Sequence, residues 1–206
     1  MAHRLRLHDL GSGHAAVLPD ALIVILFAAR DGAAEPLGFA RHWQPTVPQA
    51  AFVGVELDAA APRTGLAALR RAAAEAARAR SLHPSQIILF GTGAAGRLAV
   101  DGVLQQTIPA AGVIGLDIPL ASAPSHLRPT ATMVRLVQHT ADDDPQATRV
   151  HALIAAMQRN GIDVRSMILP HGAPGSPSVV MRAGGTFLVE LVAKASRISA
   201  KRGSWL

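Results

Sequence analysis

Three glycines that follow an apolar run have the spacing of a phosphate-binding loop. Gly91, Gly93 and Gly96 form the pattern G-x-G-x-x-G. In a dinucleotide-binding loop these glycines allow a tight turn and a close approach of the backbone to the pyrophosphate. The loop also needs an acidic residue about 20 positions further on, which binds the ribose. Asp117 meets that condition, so dinucleotide binding is one open interpretation.

Several other polar residues could do chemistry, and each has a plainer interpretation. Thr92 is the hydroxyl nearest to the glycines, but it is expected to point elsewhere. Arg30 could bind an anion or be a solvated charge. His139 could be a base or ligand beside Asp142, or an ordinary loop histidine. The acidic run Asp142–Asp144 could suggest a hard metal site, although a turn followed by a helix N-cap explains it equally well.

Strand-length apolar runs alternate with helix-length segments, and this alternation predicts the elements that position those residues. The runs are apolar on both faces, as strands covered by helices on both sides must be. Repeated strand, helix and strand indicates an α/β domain with a mainly parallel central sheet. The predicted strands are Leu22–Phe27, Ala51–Leu57, Gln86–Phe90, Gly112–Leu116, Met133–Val137 and Val164–Leu169. The predicted helices are Thr64–Arg80, Ala94–Gln105, Pro145–Asn160 and Met181–Ser199.

Local signals mark both ends of one of these helices. Asp144 followed by Pro145 is typical of an N-cap with proline at the first helical position. Asn160–Gly161 predicts a left-handed residue at the other end.

Length and composition limit the class of protein. A chain of 206 residues is most simply one domain, residues 1–206. It contains no cysteine, which excludes disulfides, thiolate catalysis and cysteine-ligated metals. The net charge of +6 comes largely from scattered arginines with few aromatic residues, a pattern that argues against nucleic-acid binding. The apolar run 21–29 is too short to span a bilayer, so we expect a cytoplasmic protein without a membrane span.

Five segments together resemble one family of enzymes. The segment PSQIILFGTGAAGRLA, residues 84–99, is similar to PxRIxLxGFSQGGxLA of the phospholipase/carboxylesterase (acyl-protein thioesterase-like) family of α/β hydrolases. Residues 22–32 are similar to its VVxLHGLGD, and residues 47–57 to LPxxxxVxP without the final proline. Residues 136–145 are similar to LxxHGxxDxxVP, and residues 160–174 to xGxxVxxxxYxxxGH. The similarity follows the family's order over most of the chain. It implies a three-layer α/β-hydrolase-like domain with helices on both faces of the sheet.

The resemblance also implies a catalytic site with one essential atom missing. Asp142 stands at the acid and His171 at the base of the family's triad, while Gly93 stands at the nucleophilic serine. The backbone N–H groups of Ala29 and Ala94 would line the oxyanion hole. A triad needs a hydroxyl oxygen to attack the substrate, and glycine has none.

A second departure lies in the predicted oxyanion loop. Phe27 and Ala28 replace the family's His-Gly pair. Because the hole is made of backbone N–H groups, it could survive this change in outline.

These departures favour a homologue with little or no serine-esterase activity. The cleft in which the family binds its substrate would here bind a small acyl or ester-like ligand, or another protein. One alternative is an active ester hydrolase that uses a non-standard nucleophile, or a water activated by His171. The dinucleotide-binding protein remains a second alternative. We expect no cofactor and no metal, and the sequence is compatible with a homo-oligomer.

Overall fold

The apolar runs pair into one seven-stranded sheet in the computed structural model of the chain, which describes residues 5–12, 18–28, 34–57, 62–119, 127, 130–140, 145–170 and 177–203. The strands are β1 (Arg6–Ser12), β2 (Ala21–Ala28), β3 (Ala50–Leu57), β4 (Ile87–Thr92), β5 (Gly112–Leu116), β6 (Met133–Thr140) and β7 (Val164–Pro170). They lie in the order β1-β3-β2-β4-β5-β6-β7. β1 is antiparallel to β3, whereas every other neighbouring pair is parallel. The prediction of a mainly parallel sheet is confirmed.

Helices cover both faces of this sheet. They are α1 (Ala34–Trp43), α2 (Pro62–Arg78), α3 (Gly93–Leu104), α4 (Pro145–Arg159) and α5 (Pro177–Gly203), and a 3-10 turn spans Pro84–Gln86. One hydrophobic cluster joins α1 and α5 to one face, and a second joins α2, α3 and α4 to the other. The result is the predicted three-layer α/β arrangement. None of the helices in the described part of the chain combines the length and apolarity that a bilayer crossing requires.

β2 shows why the central strands are apolar on both faces. Its first seven residues are all buried. Val24 packs in the cluster of α2, α3 and α4, while the next residue, Ile25, packs in the cluster of α1 and α5. Burying such an aliphatic side chain stabilises the fold by about 1.5–3 kcal/mol. A polar residue on either face would forgo that contribution.

All six predicted strands and all four predicted helices are present, with ends that differ by a few residues. β6 continues past the predicted end at Val137, because it keeps pairing with β7 as far as Thr140 opposite Pro170. Gly161 has the predicted positive φ, +69°. Asp144, the predicted N-cap of α4, lies outside the described residues. The sequence analysis did not predict β1 or α1.

Trp43 links α1 and α5 to the central strand β4. Its indole Nε1 donates a hydrogen bond to the Met181 carbonyl at 2.8 Å. Its ring meets the ring of Phe90 edge-on at a centroid distance of 4.8 Å. A Cβ added at Gly184 would lie 2.9 Å from Trp43 Cζ2, so glycine is needed where α5 crosses the indole. These contacts hold the face of the sheet opposite α3.

A buried arginine fastens α5 to the amino-terminal part of β6. The Arg135 side chain is 0% exposed. Its Nε and Nη2 each donate to a Glu190 carboxylate oxygen at 2.9 Å, and Nη1 donates to Asp163 Oδ1 at 3.0 Å. The guanidinium carbon also lies 6.0 Å from the ring centre of Phe187. A charge can be buried in this way only because carboxylates and carbonyls surround it.

The titration behaviour of this group follows from its contacts. Burial disfavours the charged form of Arg135, but its hydrogen bonds to Glu190 and Asp163 outweigh that effect and raise the pKa of the guanidinium. The hydrogen bond from Arg135 lowers the pKa of Glu190. Burial lowers the pKa of Lys194, whose ammonium group donates to the Ala131 carbonyl. Arg135 and Glu190 are therefore held in their charged forms.

Candidate functional site

β2 and β4 are neighbours in the sheet, and the connections that follow them leave in opposite directions. The connection from β2 leads to β3 on one side, and the connection from β4 leads to β5 on the other. α1 and α3, which make these connections, lie on opposite faces. In open α/β sheets, ligands bind beyond the carboxyl ends of the strands at such a switch point. The carboxyl ends of β2 and β4 therefore mark the expected site, and β4 ends directly before Gly93.

Gly93 forms a sharp turn between β4 and α3. Its φ is +50°, and it is the first residue of α3. An L-residue is strained in this region, whereas glycine adopts it readily. A Cβ built on Gly93 would have no atom of the described residues within 4 Å, apart from its chain neighbours and the backbone of its own helix. The turn could therefore accept a side chain sterically, although it carries none.

The flanking glycines serve packing. A Cβ on Gly96 would lie 2.3 Å from the Gly91 carbonyl oxygen, and a Cβ on Gly91 would lie 2.7 Å from the Gly96 nitrogen. Real Cβ atoms do not approach other atoms this closely, so α3 can meet β4 at this distance only with glycine at both positions. Gly91 and Gly96 thus have a structural reason to be glycine that requires no bound ligand.

The amino terminus of α3 offers unpaired backbone donors. Thr92 is the N-cap of the helix, and its side chain makes no capping hydrogen bond. Ala94 lies in the first turn and is exposed, and the N–H groups of a first turn have no partner within their own helix. Such groups attract anions and developing oxyanions. Ala29, the other predicted oxyanion-hole residue, lies outside the described residues.

The predicted acid and base also lie outside the described residues, but the strands that lead to them are well placed. Asp142 follows β6, and His171 follows β7. The last residues of these parallel strands, Thr140 and Pro170, are register partners. Both segments therefore leave neighbouring strands at the edge of the sheet where β4 ends.

Phe27, which stands at a histidine in the resemblance, belongs to the core. It is buried, and its ring lies 5.5 Å from the ring of His8. It also packs over Gly54, where an added Cβ would lie 3.1 Å from the Phe27 ring. His8 in turn contacts Glu56, with Nε2 and Oε2 3.1 Å apart. Phe27 therefore fills space between β2 and β1 and offers no polar group to the site.

The structure joins two residues that the sequence analysis considered separately. Asp117 directly follows β5, and His139 lies near the end of β6. Asp117 Oδ2 is 2.9 Å from His139 Nδ1, and Asp117 Oδ1 accepts the His139 backbone N–H at 2.7 Å. The side chains are 45% and 18% exposed, respectively. The sequence places both residues near the carboxyl ends of neighbouring strands, but it does not report the register or the positive φ that bring them into contact.

This pairing bears on the dinucleotide interpretation. Asp117 is placed as that interpretation requires, at the end of a parallel strand next to β4. However, both of its carboxylate oxygens already contact His139. A ribose could be bound here only in exchange for, or in addition to, those contacts.

A buried amide lies next to the pair. Gln138 is 1% exposed, and its Nε2 has no hydrogen-bond partner among the described residues. Buried donors in folded proteins almost always have a partner. No group of three or more His, Asp and Glu side chains that could hold a metal ion is found in the described ranges.

The comparisons with known proteins agree on the fold. No protein-family model and no curated protein matches the sequence. Among solved structures, esterase PE8 is 18% identical, with a TM-score of 0.70 over 91% of this chain and 99% of that one. The Bacillus cereus carboxylesterase is 14% identical, with a TM-score of 0.64 over 93% of each chain.

A third similar structure is a phospholipase/carboxylesterase from Dyadobacter fermentans DSM 18053. It is 15% identical, with a TM-score of 0.61 over 86% of this chain and 91% of that one. The chain thus has the fold of these esterases, an α/β-hydrolase fold.

Proposed function

We propose that the chain is a homologue of the carboxylesterase/thioesterase α/β hydrolases that lacks the elbow serine. Its serine-type esterase activity is little or none, and its cleft binds a small acyl or ester-like ligand, or another protein. The observation that carries this proposal is the backbone of Gly93, which turns at φ +50° between β4 and α3. That is the place where an α/β hydrolase presents its nucleophile on a strained turn.

The rest of the site is proposed on the same basis. Asp142 and His171 are the remnant acid and base of the triad, and the N–H groups of Ala29 and Ala94 form the oxyanion hole. The adjacent ends of β6 and β7 and the uncapped start of α3 support these roles. Without a hydroxyl at Gly93, His171 has no serine to deprotonate. Triads that lose a member retain about 10³–10⁴-fold catalysis over water from the hole and from binding.

The test is to replace the missing hydroxyl with Gly93→Ser. The open space at Cβ should accept the side chain. We expect p-nitrophenyl acetate hydrolysis to rise by about 10²-fold, the lower end of what general-base assistance contributes. A burst of p-nitrophenol and labelling by a fluorophosphonate should accompany the rise, because both report an acyl- or phosphonyl-serine.

Gly93→Ala is the matched control, since it adds the same Cβ without the hydroxyl. It should fold like Gly93→Ser and show no burst. A folded Gly93→Ser protein without any gain would overturn the proposed triad. A saturable change in NADH fluorescence, weakened in Gly93→Ala, would instead favour the dinucleotide alternative.

A further inference from the structure

We propose that Asp117 and His139 form a second acid–base pair, in which His139 Nε2 removes a proton from a water that attacks the ester carbonyl of a ligand in the cleft. The inference takes the cleft and the ester class of ligand from the proposed function. The chemistry itself is independent of Asp142, His171 and the missing serine.

The contacts set the protonation state of the ring. A carboxylate can only accept a hydrogen bond. Asp117 Oδ2, at 2.9 Å from His139 Nδ1, therefore places the proton on Nδ1. The lone pair of Nε2 is then available, and no described residue bonds to it. An aspartate that holds Nδ1 in this way orients a histidine for use as a base and stabilises the imidazolium that forms.

The pair is anchored as a rigid unit. Asp117 binds both the ring and the backbone N–H of His139, and its own N–H donates to the Val137 carbonyl at 2.9 Å. Its φ is +47°, a conformation that few residues other than glycine adopt. Backbone conformations of this kind cluster at functional sites. Here the turn after β5 brings the carboxylate of Asp117 into contact with His139 near the end of β6.

The register places Asp117 next to the elbow and His139 one strand further along the sheet. Thr92 of β4 is the partner of Leu116 of β5, so Gly93 and Asp117 follow paired residues. Neighbouring strands lie about 4.8 Å apart, and the His139 ring, which lies on β6, reaches back to the carboxylate of Asp117. Beyond its chain neighbours and its own helix backbone, no described residue comes within 4 Å of a Cβ at Gly93, and the attacking water is placed there, where an esterase holds its hydroxyl.

The hydrolytic step balances without a covalent enzyme intermediate. The water oxygen forms a bond to the ester carbonyl carbon while Nε2 takes one of its protons. The negative charge on the carbonyl oxygen is stabilised by N–H groups of the first turn of α3. The tetrahedral intermediate then breaks its bond to the alkoxy oxygen, and the imidazolium returns the proton to it. The products are a carboxylic acid and an alcohol.

Kinetics with p-nitrophenyl acetate test this pair. Wild-type turnover should exceed that of an equal concentration of free imidazole, and it should show no burst. His139→Gln should lower it by about 10²-fold, the lower end of the contribution of a general base. Asp117→Asn should also lower it, because the amide can donate to Nδ1 and so hold the ring in the other tautomer. His151→Gln, a histidine exposed on α4, is the matched control and should leave turnover unchanged.

A spectroscopic measurement on the unmodified protein completes the test. The ¹⁵N NMR signals of neutral His139 should show a protonated Nδ1 and an unprotonated Nε2. The opposite tautomer would overturn the proposal, as would turnover no greater than that of imidazole, or turnover lost in His171→Gln but kept in His139→Gln.

The outcomes also separate this pair from the proposed elbow. A gain in Gly93→Ser without any dependence of wild-type turnover on His139 would support the elbow and overturn the pair. Dependence on His139 without a gain in Gly93→Ser would support the pair alone.

Discussion

The two ends of β6 carry hydrogen-bonded polar groups of opposite character. Near the amino end, Arg135 is fully buried, and its guanidinium bonds to Glu190 and Asp163. Near the carboxyl end, His139 holds Asp117 through one ring nitrogen while the other has no described partner. The guanidinium of Arg135 donates its hydrogen bonds to groups of the fold, whereas Nε2 of His139 is left to bind a ligand. β6 thus carries both Arg135, which fastens α5, and His139, which is proposed to act as a base.

This comparison predicts that changes at the amino end mainly affect stability. Glu190→Ala should have the largest effect, because it leaves the buried guanidinium without its two-point partner. We expect the free energy of unfolding to fall by about 3 kcal/mol, the low end for breaking a buried pair, since Asp163 remains. Urea denaturation measures it. Arg165→Gln is the control, because that side chain is exposed and 3.4 Å from Glu190, and should change stability by about 0.5 kcal/mol or less. Equal losses in both variants would contradict this view of the cluster.

The hydrogen bond between Arg135 and Glu190 should also make the free energy of unfolding depend on pH, with a smaller effect than that of Glu190→Ala. The folded-state pKa of Glu190 lies below its ordinary value because Arg135 binds the carboxylate. The stabilisation is therefore present above the ordinary pKa, and it is lost as the pH falls through the lowered one. Unfolding free energies of the wild type and Glu190→Gln should thus converge in acid. A difference that stays constant on acidification would show that the charge of Glu190 is not responsible.

Changes at the carboxyl end should affect stability less than Glu190→Ala does. The Asp117 and His139 side chains are 45% and 18% exposed, respectively. We expect Asp117→Asn and His139→Gln to lower the free energy of unfolding by about 1 kcal/mol, the net contribution of a hydrogen bond, while turnover falls. Thermal or urea unfolding of each variant checks this. A loss comparable to that of Glu190→Ala would make the pair a structural one.

The central strands could be predicted from the sequence because burial on both faces leaves an unmistakable apolar run. β1 could not, because it contains no such run. Its leucines, Leu7 and Leu10, are separated by His8 and Asp9, and Leu7 is 43% exposed. The role of Arg135 could not be predicted either, because the residue lies inside an apolar run. Its partners are Asp163, directly before β7, and Glu190 of α5, and only the fold brings them together.

The candidate site was predictable only in part. The turn at Gly93 between β4 and α3 could be predicted because it is local in the sequence, whereas its role as the elbow remains a prediction. The Asp117–His139 pair depends on the register between β5 and β6 and on the positive φ of Asp117, neither of which a sequence pattern reports. The roles of Ala29, Asp142 and His171 remain predictions, since these residues lie outside the described ranges.

The close approach of α3 to β4 divides the three glycines of the loop into two kinds. Gly91 and Gly96 are interlocked, so even a methyl group at either one would push the helix off the strand. Gly93 has free volume around it and is held only by its dihedral angle. A saturation library over this loop should therefore tolerate side chains at position 93, at a backbone strain of about 1–3 kcal/mol, and almost none at positions 91 and 96. A lineage carrying this scaffold could gain or lose a hydroxyl at position 93 by one substitution without rebuilding the packing beneath it.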